Sequence, residues 1–139
     1  MSLKQRLIKD EGWVAHAYED SLGFITIGVG HLIDKRKGGE LPYHIIDQLL
    51  DSDIENVYAL LDTHLPWWRG RTPQVQEAMA SMCFQLGIHG LMEFKKTLAC
   101  LHAGDFEGAK ANALDSLWAK QTPERAKSVT DLFTDKEAT

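Results

Sequence analysis

The sequence predicts an α+β fold in which a small β-hairpin precedes a run of helices. Three observations predict it: an amphipathic helix opens the chain, an alternating apolar segment follows, and every later apolar stripe has helical spacing. Strands grouped at one end of a chain and helices at the other are typical of this class. The 139 residues, 44% hydrophobic and 25% charged, can bury the core of one domain.

The first predicted helix begins at Ser2 and ends at Gly12. Ser2 and Gln5 have the spacing of a capping box, and glycine is the usual residue just past a helix C-terminus. The core-facing stripe of this helix consists of Leu3, Leu7 and Ile8.

Glu11 continues that apolar stripe, where an apolar residue is expected. Burial and the negative end of the helix dipole both raise the pKa of a carboxyl group. An acid that keeps its proton near neutral pH can serve as a general acid. An exposed glutamate at a frayed helix end explains Glu11 as well, so this residue alone leaves both interpretations open.

Residues 17–30 predict a β-hairpin, because a glycine-containing turn at 21–23 separates a short strand from an alternating one. Thr26 lies opposite the apolar face of the second strand, and Asp20 begins the turn. Each has a simple structural explanation: threonine is a common strand residue, and aspartate is a common turn residue. Together with Glu11, however, they supply two carboxylates in unlike environments, the minimum for hydrolysing a glycosidic bond.

Several segments, in order along the chain, resemble the phage-type lysozymes, or endolysins, and most nearly their T-even members. These segments are Asp10-Glu11-Gly12, Tyr18, Asp20, Gly23, Thr26-Ile27-Gly28-Val29-Gly30-His31, Phe84-Gln85-Leu86-Gly87 and Gln121-Thr122-Pro123-Glu124-Arg125-Ala126-Lys127. The resemblance implies one lysozyme-like α+β domain over 1–139. Its hairpin lobe would cover about 12–40, its helical lobe about 60–139 plus the N-terminal helix, with a substrate cleft between them.

The resemblance also implies the chemistry, which is inverting hydrolysis of the β-1,4 bond between N-acetylmuramic acid and N-acetylglucosamine in peptidoglycan. It assigns Glu11 as the general acid, Asp20 as the second catalytic carboxylate, and Thr26 as the residue that helps to place the water. Arg125 matches an arginine that lies against the catalytic glutamate, where it would lower the pKa of Glu11.

Four substrate-binding positions come from the resemblance alone. Leu32 and Phe84 match residues that line the cleft. Thr97 and Asn112 match polar residues that contact the substrate. The chain departs from the T-even pattern at 34–40, where a shorter connection reduces the small lobe and leaves the number of sugar subsites open.

A long amphipathic helix is predicted from Ile45 to Leu61, ending before Pro66. It would connect the two lobes. Asp53 interrupts its apolar stripe, and a core-facing carboxylate needs a partner. His31 is the candidate, and the resemblance supports a structural rather than catalytic His31–Asp53 pair.

The remaining chain predicts further helices. Their expected extents are 73–87 after the cap Thr72, 91–101 before Gly104, 106–118 after the cap Asp105, and 123–133 after Thr122. Trp67 and Trp68 lie between helices, where packing is a more common role for an indole than stacking on a sugar.

Composition argues against several functions. The net charge of −5, with no basic stripe beyond residues 35–37, argues against nucleic-acid binding. No segment approaches the ~20 apolar residues of a membrane span, and the N-terminus lacks the apolar region of a signal peptide. Cys83 and Cys100 lack metal-site spacing and are predicted to be free, buried thiols. We expect no cofactor and no metal.

Three other functions share these features: a lytic transglycosylase, a non-catalytic wall-binding or structural helical protein, and a relative that cuts chitin or chitosan. The expected partner is the glycan strand of peptidoglycan, bound by a monomer. The expected location is the cytoplasm of an infected bacterium, from which the protein reaches the wall after the membrane is permeabilised. A virion-associated protein is equally compatible with the sequence.

Overall fold

The computed structural model describes residues 2, 5–6, 14–19, 25–28, 31–32 and 41–136, with backbone alone in the three strands. The chain divides into two compact units, Met1–Leu49 and Leu50–Thr139. Each unit is described by itself.

The first unit contains an antiparallel sheet with the strand order β1-β2-β3. The strands are β1 (Val14–Glu19), β2 (Ile25–Gly28) and β3 (His31–Leu32). Thr26 pairs with Tyr18 on one side and with Leu32 on the other. The three residues therefore occupy one row across the sheet.

The capping box predicted at the N-terminus is confirmed. The backbone N–H of Gln5 donates to Oγ of Ser2 at 3.1 Å, and the N–H of Ser2 donates to Oε1 of Gln5 at 2.9 Å. The reciprocal pair satisfies two donors that a helix start otherwise leaves without partners.

The second unit is built from helices throughout its described residues, and its opening helix begins before the boundary at Leu50. After the long helix α1 (Tyr43–His64) come a 3₁₀ helix (Pro66–Gly70), α2 (Pro73–Met92), α3 (Lys95–Ala103), α4 (Phe106–Leu114), α5 (Leu117–Gln121) and α6 (Pro123–Thr130).

The predicted α+β fold with a two-stranded hairpin lobe is wrong as a description of this chain. Helix dominates the described residues, and the strands are only six, four and two residues long. The short sheet has three strands rather than two, because His31–Leu32 adds to the edge of β2. The physical reason is that only a short segment alternates in polarity, whereas apolar stripes of helical period fill the rest of the chain.

The helical core includes one face of α2. Val75, Met79, Met82 and Cys83 are all buried, and they pack with residues from the other helices, including Leu61, Leu91 and Leu101. Cys83 and Cys100 are free thiols, as predicted, although Cys100 is only half-buried. Burial raises the pKa of the Cys83 thiol.

Trp68 packs in the core, which confirms the packing interpretation for this residue. Its Nε1–H donates to Oδ1 of Asp62 at 2.7 Å. The guanidinium of Arg69 also binds Asp62 and lies over the Trp68 ring, 4.7 Å from its centroid. Hydrogen bonds from Arg69 and then from Trp68 hold the pKa of Asp62 below its usual value. Trp67 stacks on His102 with ring centroids 4.5 Å apart.

Both predicted helix caps in this unit, Thr72 and Asp105, are confirmed. The side chain of Thr72 accepts a hydrogen bond from the N–H of Val75, and that of Asp105 accepts one from Gly108. Thr122 makes no such cap. Its hydroxyl instead donates back to the carbonyl oxygen of Trp118 at 2.9 Å.

The helix predicted over 106–118 is in fact two helices, α4 and α5. Ser116 separates them, because its side chain accepts a hydrogen bond from the N–H of Ala119 and so begins α5. The apolar residues continue across this break, which made the segment look like one helix.

The prediction that Gly87 ends the helix that begins at Pro73 is confirmed. Within α2, Gly87 has φ 75° and ψ 164°, which is not helical, and two helical segments meet there at a kink. This backbone conformation is almost exclusive to glycine. The first helical segment of α2 therefore ends at Gly87, and a second, short segment continues to Met92.

Replacing Gly87 with Ala should lower the free energy of unfolding by about 1–3 kcal/mol, because alanine is strained in this conformation. A Cβ at Gly87 would meet no atom within 4 Å, so the cost would come from the backbone alone. Urea denaturation of the parent and of the Gly87→Ala variant measures this loss of unfolding free energy. Gly70→Ala is the matched control, because a Cβ there is equally unobstructed and φ is not positive. Equal losses in the two variants would contradict the backbone explanation.

Candidate functional site

A cavity of about 620 Å³ in the helical unit brings together two of the residues predicted to contact substrate. Thr97, in the first turn of α3, and Asn112, on α4, both line it. The volume is within the range of ~300–1,000 Å³ that is usual for ligand pockets.

The turn between α3 and α4 places these two helices against each other. Gly104 ends α3 in the left-handed conformation, with φ 82°, and Asp105 begins α4 directly afterwards. The side-chain amide of Asn112 consequently lies 3.9 Å from Sγ of Cys100 on α3. The same amide donates to the carbonyl oxygen of Gly108 at 2.9 Å, which fixes its orientation.

Gln85 and Trp118 form a fixed wall of the cavity. The indole N–H of Trp118 donates to Oε1 of Gln85 at 2.9 Å. The ring of Phe94 meets the Trp118 ring edge-on, with centroids 5.7 Å apart. The sequence predicts no role in the site for Trp118 and includes Gln85 only within the lysozyme-like segment Phe84-Gln85-Leu86-Gly87. That segment was the available signal.

Phe84 lies in a different cavity from Thr97 and Asn112. It is 45% exposed and lines a space of about 530 Å³ that also contains Arg125. Nη2 of Arg125 lies 3.4 Å from Oγ of Ser81. Phe84 and Gln85 are successive residues of α2, so their side chains project about 100° apart around the helix axis. Of the predicted substrate-binding residues in the helical unit, Thr97 and Asn112 therefore share one cavity and Phe84 lines another. The side chain of Leu32 is not described.

Among the described residues, no group of three or more His, Cys, Asp or Glu side chains could hold a metal ion. Within the same ranges, no helix combines the length and the apolar character that crossing a membrane requires.

Comparison with known proteins identifies the family. The sequence model of the family described as Phage lysozyme matches residues 8–137. The chain belongs to the phage lysozyme family. This match covers the positions of all the predicted catalytic and substrate-binding residues.

Individual relatives differ in size and organisation. The chain is 30% identical to the pre-baseplate central spike protein Gp5 of Enterobacteria phage T4 over 94% of its own length, but it spans only 27% of that protein. It is 29% identical to the probable T4-type lysozyme 2 of Dictyostelium discoideum, with 95% of the chain and 93% of the relative covered. It is 31% identical to the SAR-endolysin of Escherichia phage Mu, with 77% of the chain and 61% of the relative covered.

In this phage lysozyme family member, the predicted catalytic residues lie mainly outside the described residues. Glu11 and Asp20 are not described, and Thr26 is placed only by its backbone, opposite Leu32 in the sheet. Asp53 is exposed on α1, contrary to the expectation that it faces the core. The side chain of His31 is not described, so the His31–Asp53 pair stays a prediction.

Proposed function

We propose that the chain is a muramidase that hydrolyses the β-1,4 bond between N-acetylmuramic acid and N-acetylglucosamine in bacterial peptidoglycan. The observation that carries this proposal is the family match over residues 8–137, which includes Glu11, Asp20 and Thr26. Relatives named as a lysozyme and as endolysins support a peptidoglycan-lytic function.

The proposed mechanism divides the chemistry between two carboxyl groups. Glu11 protonates the oxygen of the leaving sugar, and Asp20, ionised, activates a water molecule on the other face of the ring. The hydroxyl of Thr26 accepts a hydrogen bond from that water or donates one to it. Inversion at the anomeric carbon requires carboxyl groups ~6.5–9.5 Å apart, whereas retention requires ~5–5.5 Å. No metal or cofactor takes part in these steps.

The substrate-binding roles follow from the chemistry of each side chain. Thr97 and Asn112 present a hydroxyl and an amide to one cavity, and both groups hydrogen-bond readily to sugar hydroxyl and acetamido groups. Leu32 and Phe84 would supply apolar contact to the faces of the sugar rings.

The proposed site of action is the bacterial cell wall, with peptidoglycan glycan strands as the partner of a monomeric enzyme. The relatives point to two routes, because one is an endolysin and another a phage spike protein. Release from the cytoplasm of an infected bacterium and delivery by a virion both remain compatible with this proposal.

The experiment that tests this function is mass spectrometry of purified cell walls digested with the protein. We expect fragments with reducing N-acetylmuramic acid ends, because hydrolysis adds one water to each cut bond. Anhydro-sugar ends would instead identify a lytic transglycosylase. Intact walls would favour a non-catalytic wall-binding module, and cleavage of chitin with intact peptidoglycan would favour a chitin-cutting relative.

A further inference from the structure

Two histidines from different helices lie side by side on the surface of the helical unit. His64 is the last residue of α1, and His89 lies in the last turn of α2. Their ring centroids are 6.3 Å apart, and the ring planes are inclined at 69° to each other. Both side chains are exposed. The rings are therefore neighbours that a dissolved ion can reach.

The separation of the two rings suits one metal ion held by a nitrogen of each. A zinc–imidazole bond is ~2.0–2.1 Å long, so an ion in the ring plane lies about 3 Å from each ring centroid. Two rings on one ion therefore have centroids about 5–6 Å apart, depending on the angle at the metal. Exposed side chains rotate rapidly, and a small rotation closes the remaining distance.

The core fixes the backbone on which each ring is carried. Leu65 directly follows His64, and Ile88 directly precedes His89. Both apolar neighbours are buried in the same hydrophobic core. Packing beneath the surface thus brings the two histidines together, and little further ordering is required when an ion binds.

The electrostatic surroundings favour a cation. α1 ends at His64 and α2 ends at Met92, shortly after His89. The last carbonyl groups of a helix carry partial negative charge, which attracts cations. The chain as a whole also has a net charge of −5.

We propose that His64 and His89 form a binding site for one divalent transition-metal ion of the class that prefers imidazole nitrogen, such as Zn²⁺, Cu²⁺ or Ni²⁺. The pair supplies two ligands, and water completes the coordination shell. The bound ion ties the end of α1 to the last turn of α2. It takes no part in the proposed hydrolysis, so the two proposals stand independently. The sequence predicts no metal site here, because the two histidines are far apart in the chain and form no motif.

Zinc titration, followed through the NMR signals of the histidine rings, tests this site. Metal ions bind neutral imidazole, so the titration is done in metal-free buffer at about pH 7.5. The His64 and His89 signals should shift over the same zinc concentrations, because one ion contacts both rings. Mg²⁺, which prefers oxygen ligands, should shift neither signal at about tenfold higher concentration. Different zinc affinities for the two rings, or an equal response to Mg²⁺, would overturn the shared site.

Two variants each remove one ligand. His64→Gln and His89→Gln should each raise the zinc Kd of the remaining ring at least about tenfold, because that ring then holds the ion alone. His44→Gln is the matched control, since it removes an exposed imidazole near the other end of α1. It should leave the Kd of the pair within about twofold. An unchanged Kd in either ligand variant, or an equal rise in the control, would refute the assignment.

An ion that ties two helix ends should also stabilise the folded chain. Zinc at about ten times its Kd should lower the unfolding equilibrium constant of the parent about tenfold, which raises the urea midpoint. The same zinc concentration should change that of His64→Gln by no more than about twofold. A parent midpoint that does not rise, or an equal rise in both proteins, would disprove the tie.

Sedimentation velocity distinguishes one site within a molecule from an ion that bridges two molecules. The parent should keep the same sedimentation coefficient with and without zinc, because both ligands belong to one chain. Dimer formation over the zinc concentrations that shift the ring signals would overturn the proposal.

Discussion

Replacement of Glu11 by Gln is expected to lower kcat on peptidoglycan by about 10²–10⁴-fold, the usual contribution of general acid catalysis. Glutamine has nearly the same shape as glutamate but carries no proton that it can give to the leaving oxygen. Initial rates of wall lysis, measured with equal amounts of folded protein, provide the test. A variant that keeps more than about one tenth of the parent kcat would remove Glu11 from the general-acid role.

The same variant should be at least as stable as the parent. Glu11 lies near the predicted C-terminal end of the first helix, where a negative charge opposes the helix dipole by about 0.3–1 kcal/mol. Loss of activity with a retained melting temperature would therefore separate catalysis from folding. Glu55→Gln is the control, because Glu55 is exposed on α1 and makes the same change from carboxylate to amide. It should retain the parent rate.

Local signals in the sequence predicted local structure well. Ser2 with Gln5, Thr72 and Asp105 all make the predicted caps. A cap is a hydrogen bond between residues a few positions apart, so the sequence itself contains both partners. Gly87 ends the first segment of α2 as predicted, because the backbone conformation found there is one that glycine adopts readily.

The fold class could be predicted only in part. The alternating segment correctly indicated β structure, since β1 and β2 pair as antiparallel strands. The share of the chain that forms strands was overestimated, because the strands are short. The two-residue strand at His31–Leu32 was missed. A strand that short has no periodic pattern of its own, because it is defined by backbone pairing with a neighbour.

The substrate-binding residues depended on the family resemblance. Thr97 and Asn112 lie on different helices and meet in one cavity through the turn at Gly104. Gly104 and Asp105 predicted the turn itself, but no periodicity in the sequence predicts how it packs the two helices together.

The largest effect on stability is expected from Leu61→Ala, in the second half of α1. Leu61 is fully buried, whereas its neighbour Leu60 is 38% exposed. Removing a buried leucine side chain costs about 2–5 kcal/mol, because the apolar contacts are lost and the cavity left behind does not close completely. Urea denaturation, followed by circular dichroism, should show this loss as a lower midpoint.

Leu60→Ala makes the identical chemical change one position along the same helix. It should cost no more than about 1 kcal/mol, because the side chain is partly in water already and alanine favours helix formation. The contrast isolates burial, since helix propensity changes equally in the two variants. Equal losses would mean that the face of α1 carrying Leu60 is also covered in solution. The helical core would then extend around α1 beyond Leu61 and the side chains that pack with it.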